Sequence, residues 1–216
     1  MRAHDNTTSA SRAAAAASLA TVLALAPACG GPAFRAAHST LLGEPIRADA
    51  QPVSPGQLLG GEYLQVRAPN SPGWVLMRES SAQIQFGHPG ASAHETYVAM
   101  VSFFELPPTE SSEAFVALVR SARESDTSPE RFADVRETYD YTGGRGYPCV
   151  KYTATSLDRK APGGALPLAE HGLYCRHPKR ESTGFWALYS QRAVKTDADL
   201  AEQARGFLEG VVVPDK

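Results

Sequence analysis

No stretch of this 216-residue chain holds the about 20 consecutive apolar residues that a membrane-spanning helix needs. No charge sign dominates either. The 21 basic and 23 acidic residues nearly cancel, and nothing in that balance points to a nucleic-acid partner. Serines are many, but no G-x-S-x-G frames one as a nucleophile. The glycine-rich Gly143-Gly-Arg-Gly146 lacks the Lys-Ser/Thr of a phosphate loop and lies between strand-like runs, so it reads as a hairpin turn. Cysteine is scarce, with only Cys29, Cys149 and Cys175. No local signature names a reaction, and no cofactor is expected.

What is present begins at the N-terminus. Arg2 and Arg12 precede an apolar run from Ala13 to Leu25, and small residues follow it, ending in Ala28-Cys29. A cationic start, a short apolar segment and small residues at a cut are the parts of an export signal. Pro27 breaks the helix just before the cut, where a peptidase needs extended backbone. Residues 1–28 are therefore expected to be a signal peptide. Residues 29–57, rich in Ala, Gly and Pro, are expected to be a flexible tether, and residues 58–216 a single domain.

Leu23 to Cys29 (LALAPAC) resembles the lipobox of bacterial lipoproteins, with Leu25 four places before the cysteine where that family has it three before. The resemblance implies a diacylglyceryl thioether and an acylated amine on Cys29, which would hold the chain on a membrane. Gly30 follows the cysteine in place of the aspartate that retains some lipoproteins at the inner membrane. The resemblance thus implies an outer-membrane lipoprotein facing the periplasm. With Cys29 lipidated, Cys149 and Cys175 remain as an even pair in an oxidising compartment, which reads as a disulfide.

The folded part alternates strand signals with two helices. Glu62–Arg67, Trp74–Arg78, Ala82–Phe86 and Glu95–Leu106 read as strands, and the last carries apolar residues at both parities, so it is expected to be covered on both faces. Ser112–Ser125 reads as a helix with Phe115, Leu118, Val119 and Ala122 on one stripe. Ser128-Pro-Glu130 suggests a further short helical turn. Arg136–Tyr141 and Tyr147–Thr155 read as a hairpin, Leu157–Pro167 as a long loop, and Glu170–His177 with Gly184–Ala193 as another antiparallel pair. A last helix is expected over Thr196–Glu209, capped by Thr196 and ended by Gly210. The fold class expected is α+β: an antiparallel sheet with two main helices, arranged as a three-layer α/β/α sandwich. That order from about Gly60 to Val213 is similar to the PsbP-like domains of small exported proteins, which implies a binding or scaffolding role and carries over no catalytic residue.

Candidate chemistry falls on one strand. His171, Cys175 and His177 share parity, so a reduced Cys175 with the two histidines forms a candidate zinc or copper set beside Glu170. Arg176 and His177 could equally activate Cys175 as a reactive thiol. A disulfide consumes the thiolate that both readings need. His88, His94 and Glu95 also cluster, in a spacing that fits no zinc signature. Arg176, Lys179 and Arg180 make a small basic patch that fits a solvated turn or anionic headgroups. Tyr141, Tyr147, Tyr152, Tyr174, Phe185, Trp186 and Tyr189 read as core by spacing; several of them lining a groove would instead mark a small-ligand or peptide site. The function expected is a non-enzymatic binding or scaffolding module, its partner an envelope protein, peptidoglycan or a small ligand. The competing class is a metal- or thiol-dependent envelope enzyme.

Overall fold

A computed structural model describes residues 46, 50–180 and 182–214. The signal peptide, Cys29 and most of the expected tether lie outside the described residues.

The architecture is α+β: a large antiparallel sheet and two helices. Chain order is β1 (Gln51–Pro52), β2 (Leu58–Gly60), β3 (Gln65–Arg67), β4 (Val75–Glu79), β5 (Gln83–Pro89), β6 (Thr96–Glu105), α1 (Ser112–Asp126), β7 (Phe132–Thr142), β8 (Cys149–Asp158), β9 (Leu166–Arg176), β10 (Thr183–Arg192), α2 (Leu200–Glu209) and β11 (Val211–Val212). Eight strands form one sheet in the order β1-β4-β5-β6-β10-β9-β8-β7, and β11-β3-β2 form a second, smaller one. The middle of the large sheet, β6-β10-β9, pairs in continuous register.

The two parities of the central strands enter two different cores. Ala99, Val101, Phe185, Ala187 and Tyr189 pack with Leu200, Ala204, Phe207 and Leu208 of α2 and with Val66 and Val211 of the small sheet. Val98, Met100, Trp186 and Leu188 pack with Phe115 and Val119 of α1. This is the period-2 geometry of a strand with apolar residues at every position, and it fixes which helix each residue meets.

Helix α1 forms where its stripe, its Ser111 cap and its first-turn Glu113 place it; the Ser111 Oγ accepts from the Ala114 N–H at 3.1 Å. Helix α2 starts at Leu200 rather than Thr196, with Asp199 at the cap position. The segment before it is tied sideways instead: the Asp197 N–H donates to Gln191 Oε1 at 2.9 Å. Tertiary contacts there override the local capping signal. Residues 128–131 close a turn, with Arg131 N–H donating to Ser128 O, and do not extend into a helix. The loop expected over Leu157–Pro167 shrinks to 159–165, because β8 runs on to Asp158 and β9 starts at Leu166. The strand expected over Glu62–Arg67 is confined to Gln65–Arg67.

The sheet also begins before Leu58. Residues 51–52 pair with β4, and Val53 is 8% exposed in the core facing α2. Ile46 lies close over Gly87.

Candidate functional site

The sequence-derived candidates separate in space. Cys149 and Cys175 occupy directly opposed positions on β8 and β9, with Cα atoms 4.1 Å apart, and a disulfide joins them. Cys175 is therefore not a thiolate. A strand rises about 3.3 Å per residue, so His171 lies about 13 Å along β9 from Cys175 and about 20 Å from His177. Shared parity puts them on one side of the chain but not at one point. Glu170 has the other parity and faces α1, where Arg123 Nη2 reaches its Oε2 at 2.7 Å. His177 is buried beyond the end of β9. Its Nδ1 accepts from the Lys179 N–H at 3.2 Å, which leaves the proton on Nε2, 3.1 Å from the Tyr63 carbonyl. Burial, then the Lys151 charge, pushes the His171 pKa down. Among the described residues no group of three or more His, Cys, Asp or Glu could hold a metal ion.

His88 and His94 also part company. The His94 ring lies against Gly163, and Glu95 Oε1 accepts from the Val194 N–H at 3.0 Å. The basic patch is engaged internally. Arg180 stacks 3.6 Å over the Tyr63 ring, Arg176 reaches the Pro107 carbonyl at 2.9 Å, and Lys179 Nζ reaches the Pro214 carbonyl at 2.6 Å.

Two polar features escaped the sequence reading. The first is a buried ion cluster under α1. Arg123 is 0% exposed; it holds Glu137 Oε1 through Nε at 3.0 Å and Nη2 at 2.8 Å, and its guanidinium lies 4.6 Å over the Tyr152 ring. The ring can lie there because Tyr152 is opposite Gly172, where a Cβ would come within 2.2 Å of it. Asp158 is paired the same way with Arg131 and Arg192. Arg123 and Asp126 stand four residues after Val119 and Ala122 on the buried stripe of α1, so their burial was readable as periodicity and overlooked because they are charged. Such a cluster is costly to desolvate and more costly to break, since one partner's loss strands the other charge.

The second feature is a pocket of about 200 Å3 on the sheet face that α2 covers. Trp74 and Tyr189, both buried, belong to its lining, together with His88 at the end of β5 and Tyr97 at the start of β6. The rings stand at angles to one another. Trp74 is inclined 50° to His88, 68° to Tyr97 and 53° to Tyr189, with centroids 5.5, 6.4 and 5.6 Å away, and His88 meets Tyr97 edge-on at 88°. Gly73 makes this possible. It has φ +92°, and a Cβ there would come within 2.8 Å of His88 Nε2. Trp74 Nε1 donates to Ser71 Oγ at 2.9 Å, closing the same turn.

The polar part of the pocket is a continuous chain of hydrogen bonds. Gln191 Nε2 donates to Tyr97 Oη at 2.9 Å, Tyr97 Oη–H donates to Asp197 Oδ2, and Asp197 N–H returns to Gln191. Tyr189 Oη–H donates to Gln203 Oε1 at 2.7 Å. Burial first, then the bond and charge of Asp197, push the Tyr97 pKa up to about 12, so the phenol stays neutral and acts as a donor. His88 Nδ1 is buried without a hydrogen-bond partner among the described residues. The lining thus combines aromatic rings, hydrogen-bonded polar groups and one carboxylate. Of the seven aromatics singled out from the sequence, Tyr189 lines this pocket, while Tyr152, Tyr174, Phe185 and Trp186 are core.

The fold has distant likenesses among solved structures, 16 chains in all. No protein-family model matches the sequence, and no curated protein matches it. The Ran-binding protein Mog1p of Saccharomyces cerevisiae is similar at 11% identity over 74% of this chain and 96% of its own, with a TM-score of 0.46. The PsbP protein CyanoP of Synechocystis is similar at 13% identity over 80% of this chain and 99% of its own, with a TM-score of 0.38.

Proposed function

We propose that the chain is an exported lipoprotein, anchored through Cys29 to the outer membrane and facing the periplasm, whose domain is a non-enzymatic small-ligand binding module. The observation that carries the binding role is the aromatic pocket between the sheet and α2. Its polar groups are tied to one another, its phenol is held neutral, and its lining combines aromatic rings with a carboxylate. The envelope location draws support from the Cys149–Cys175 bond, since disulfides persist in oxidising compartments, and from the lipobox-like segment. The finer architecture proposed is a three-layer α/β/α sandwich, with α1 on one face of the large sheet and α2 with the small sheet on the other. Envelope proteins and peptidoglycan remain the macromolecular partners that an anchored scaffold would meet.

Fractionation tests the anchor. The wild-type chain is expected in the membrane pellet, resistant to high salt and released by detergent, because acyl chains at about 0.8 kcal/mol per buried methylene hold it there. Cys29→Ala is expected in the soluble fraction. A variant that stays in the pellet removes the lipoprotein reading.

A further inference from the structure

Resting on the small-ligand reading, we infer that the pocket between β5, β6, β10 and α2 takes a small organic ammonium ion, seated against Trp74, Tyr97 and Tyr189 and neutralised by Asp197. Aromatic faces attract cations through the ring quadrupole. Here Trp74, Tyr97 and Tyr189 line one pocket; Trp74 packs against the other two rings, and Tyr97 is the most exposed of the three. The electrostatics point the same way. Asp197 supplies a carboxylate to the pocket lining, and its Oδ2 accepts from the Tyr97 hydroxyl. A half-buried carboxylate beside aromatic rings repels anions and favours a cation that needs no hydrogen-bond acceptor of its own. The volume of about 200 Å3, smaller than a drug-sized pocket, leaves room for one small head group only.

The basic patch and the ion cluster under α1 carry nothing comparable, because their cations are spent on internal carbonyls, carboxylates and rings. In the aromatic pocket the negative charge faces a cavity.

The test is a titration of the full chain with choline and with its neutral isostere 3,3-dimethyl-1-butanol, read by ligand-observed NMR and by tryptophan fluorescence. Choline is expected to bind about tenfold more tightly than the isostere, and Asp197→Asn to erase that difference while leaving the melting temperature in place. Asparagine keeps an oxygen for the Tyr97 hydroxyl, so the variant removes charge without removing the bond. Because Trp74 is buried and its truncation endangers folding, Tyr97→Leu serves as the second variant and is expected to weaken choline binding. Equal affinity for choline and isostere overturns the ammonium inference and leaves a small-ligand pocket standing. No binding of either probe overturns both. Phosphatidylcholine vesicles, offered to the Cys29→Ala chain, separate the sources: binding to free choline supports a soluble ligand, and binding to vesicles alone supports a headgroup.

Discussion

Asp126 ends the buried stripe of α1 with one carboxylate oxygen, Oδ1, that has no hydrogen-bond partner among the described residues. Burial raises its pKa from 3.8 to about 7, Arg123 pulls it down and Glu170 pushes it up. Arg123 does not rescue it because that guanidinium is already committed to Glu137 and Glu170. The folded state therefore binds a proton at Asp126 that the unfolded chain releases near pH 4. Its contribution to stability is complete below pH 4 and is lost as pH rises toward 7, after which it is constant. Asp126→Asn mimics the protonated form. It is expected to flatten this part of the stability–pH curve and to raise stability at pH 8 by on the order of 2–4 kcal/mol. Urea unfolding at pH 4, 6 and 8 checks it, and a variant whose stability falls in parallel with the wild type contradicts it.

The next scale is the paired strand. Cys149 and Cys175 close a loop of 26 residues between β8 and β9. In the chain-entropy view that constraint is worth about 3–4 kcal/mol, and either serine variant removes all of it. Cys149→Ser and Cys175→Ser are thus expected to lose stability equally in thermal melts, and neither downstream cysteine of the native chain should alkylate without reductant. Unequal losses would assign the two sulfurs separate roles. Strands β6 and β10 show what sequence conveys well. With apolar residues at both parities, alternation alone sorted Val98 and Met100 from Ala99 and Val101, and the two sets do enter different cores. On β9 the same alternation misled. It grouped His171, Cys175 and His177 on one side but says nothing of distance along the strand, and rise per residue keeps them apart. Thr196 failed differently. A capping residue is a local signal, and Gln191 and Tyr97 captured its neighbour Asp197 from another part of the fold.

At the scale of the whole molecule, the pocket shows why the site was not legible. Ser71 and Trp74 come from a turn, His88, Tyr97 and Tyr189 from three strands, and Asp197 and Gln203 from the approach to α2 and from α2 itself. No two of these segments form a sequence motif, and only the antiparallel register brings them together. Residues 50–57 belong to that assembly. The Val53 N–H donates to the Trp74 carbonyl at 3.1 Å, and Ala68 N–H donates to the Gln57 carbonyl at 2.8 Å, so the segment braces the turn that carries Trp74. A chain begun at residue 46, which keeps Ile46 over Gly87, is therefore expected to melt like the longer one. A chain begun at residue 58 loses the β1–β4 pairing and the burial of Val53, together about 2–4 kcal/mol from one apolar side chain and a few hydrogen bonds. It should also bind choline more weakly at a temperature where both chains are folded, because Trp74 has lost its backbone partner. Denaturant curves and choline titrations of the two truncations measure both effects. Matching curves would return residues 50–57 to the tether, while a stability loss without a change in choline binding would separate the brace from the pocket.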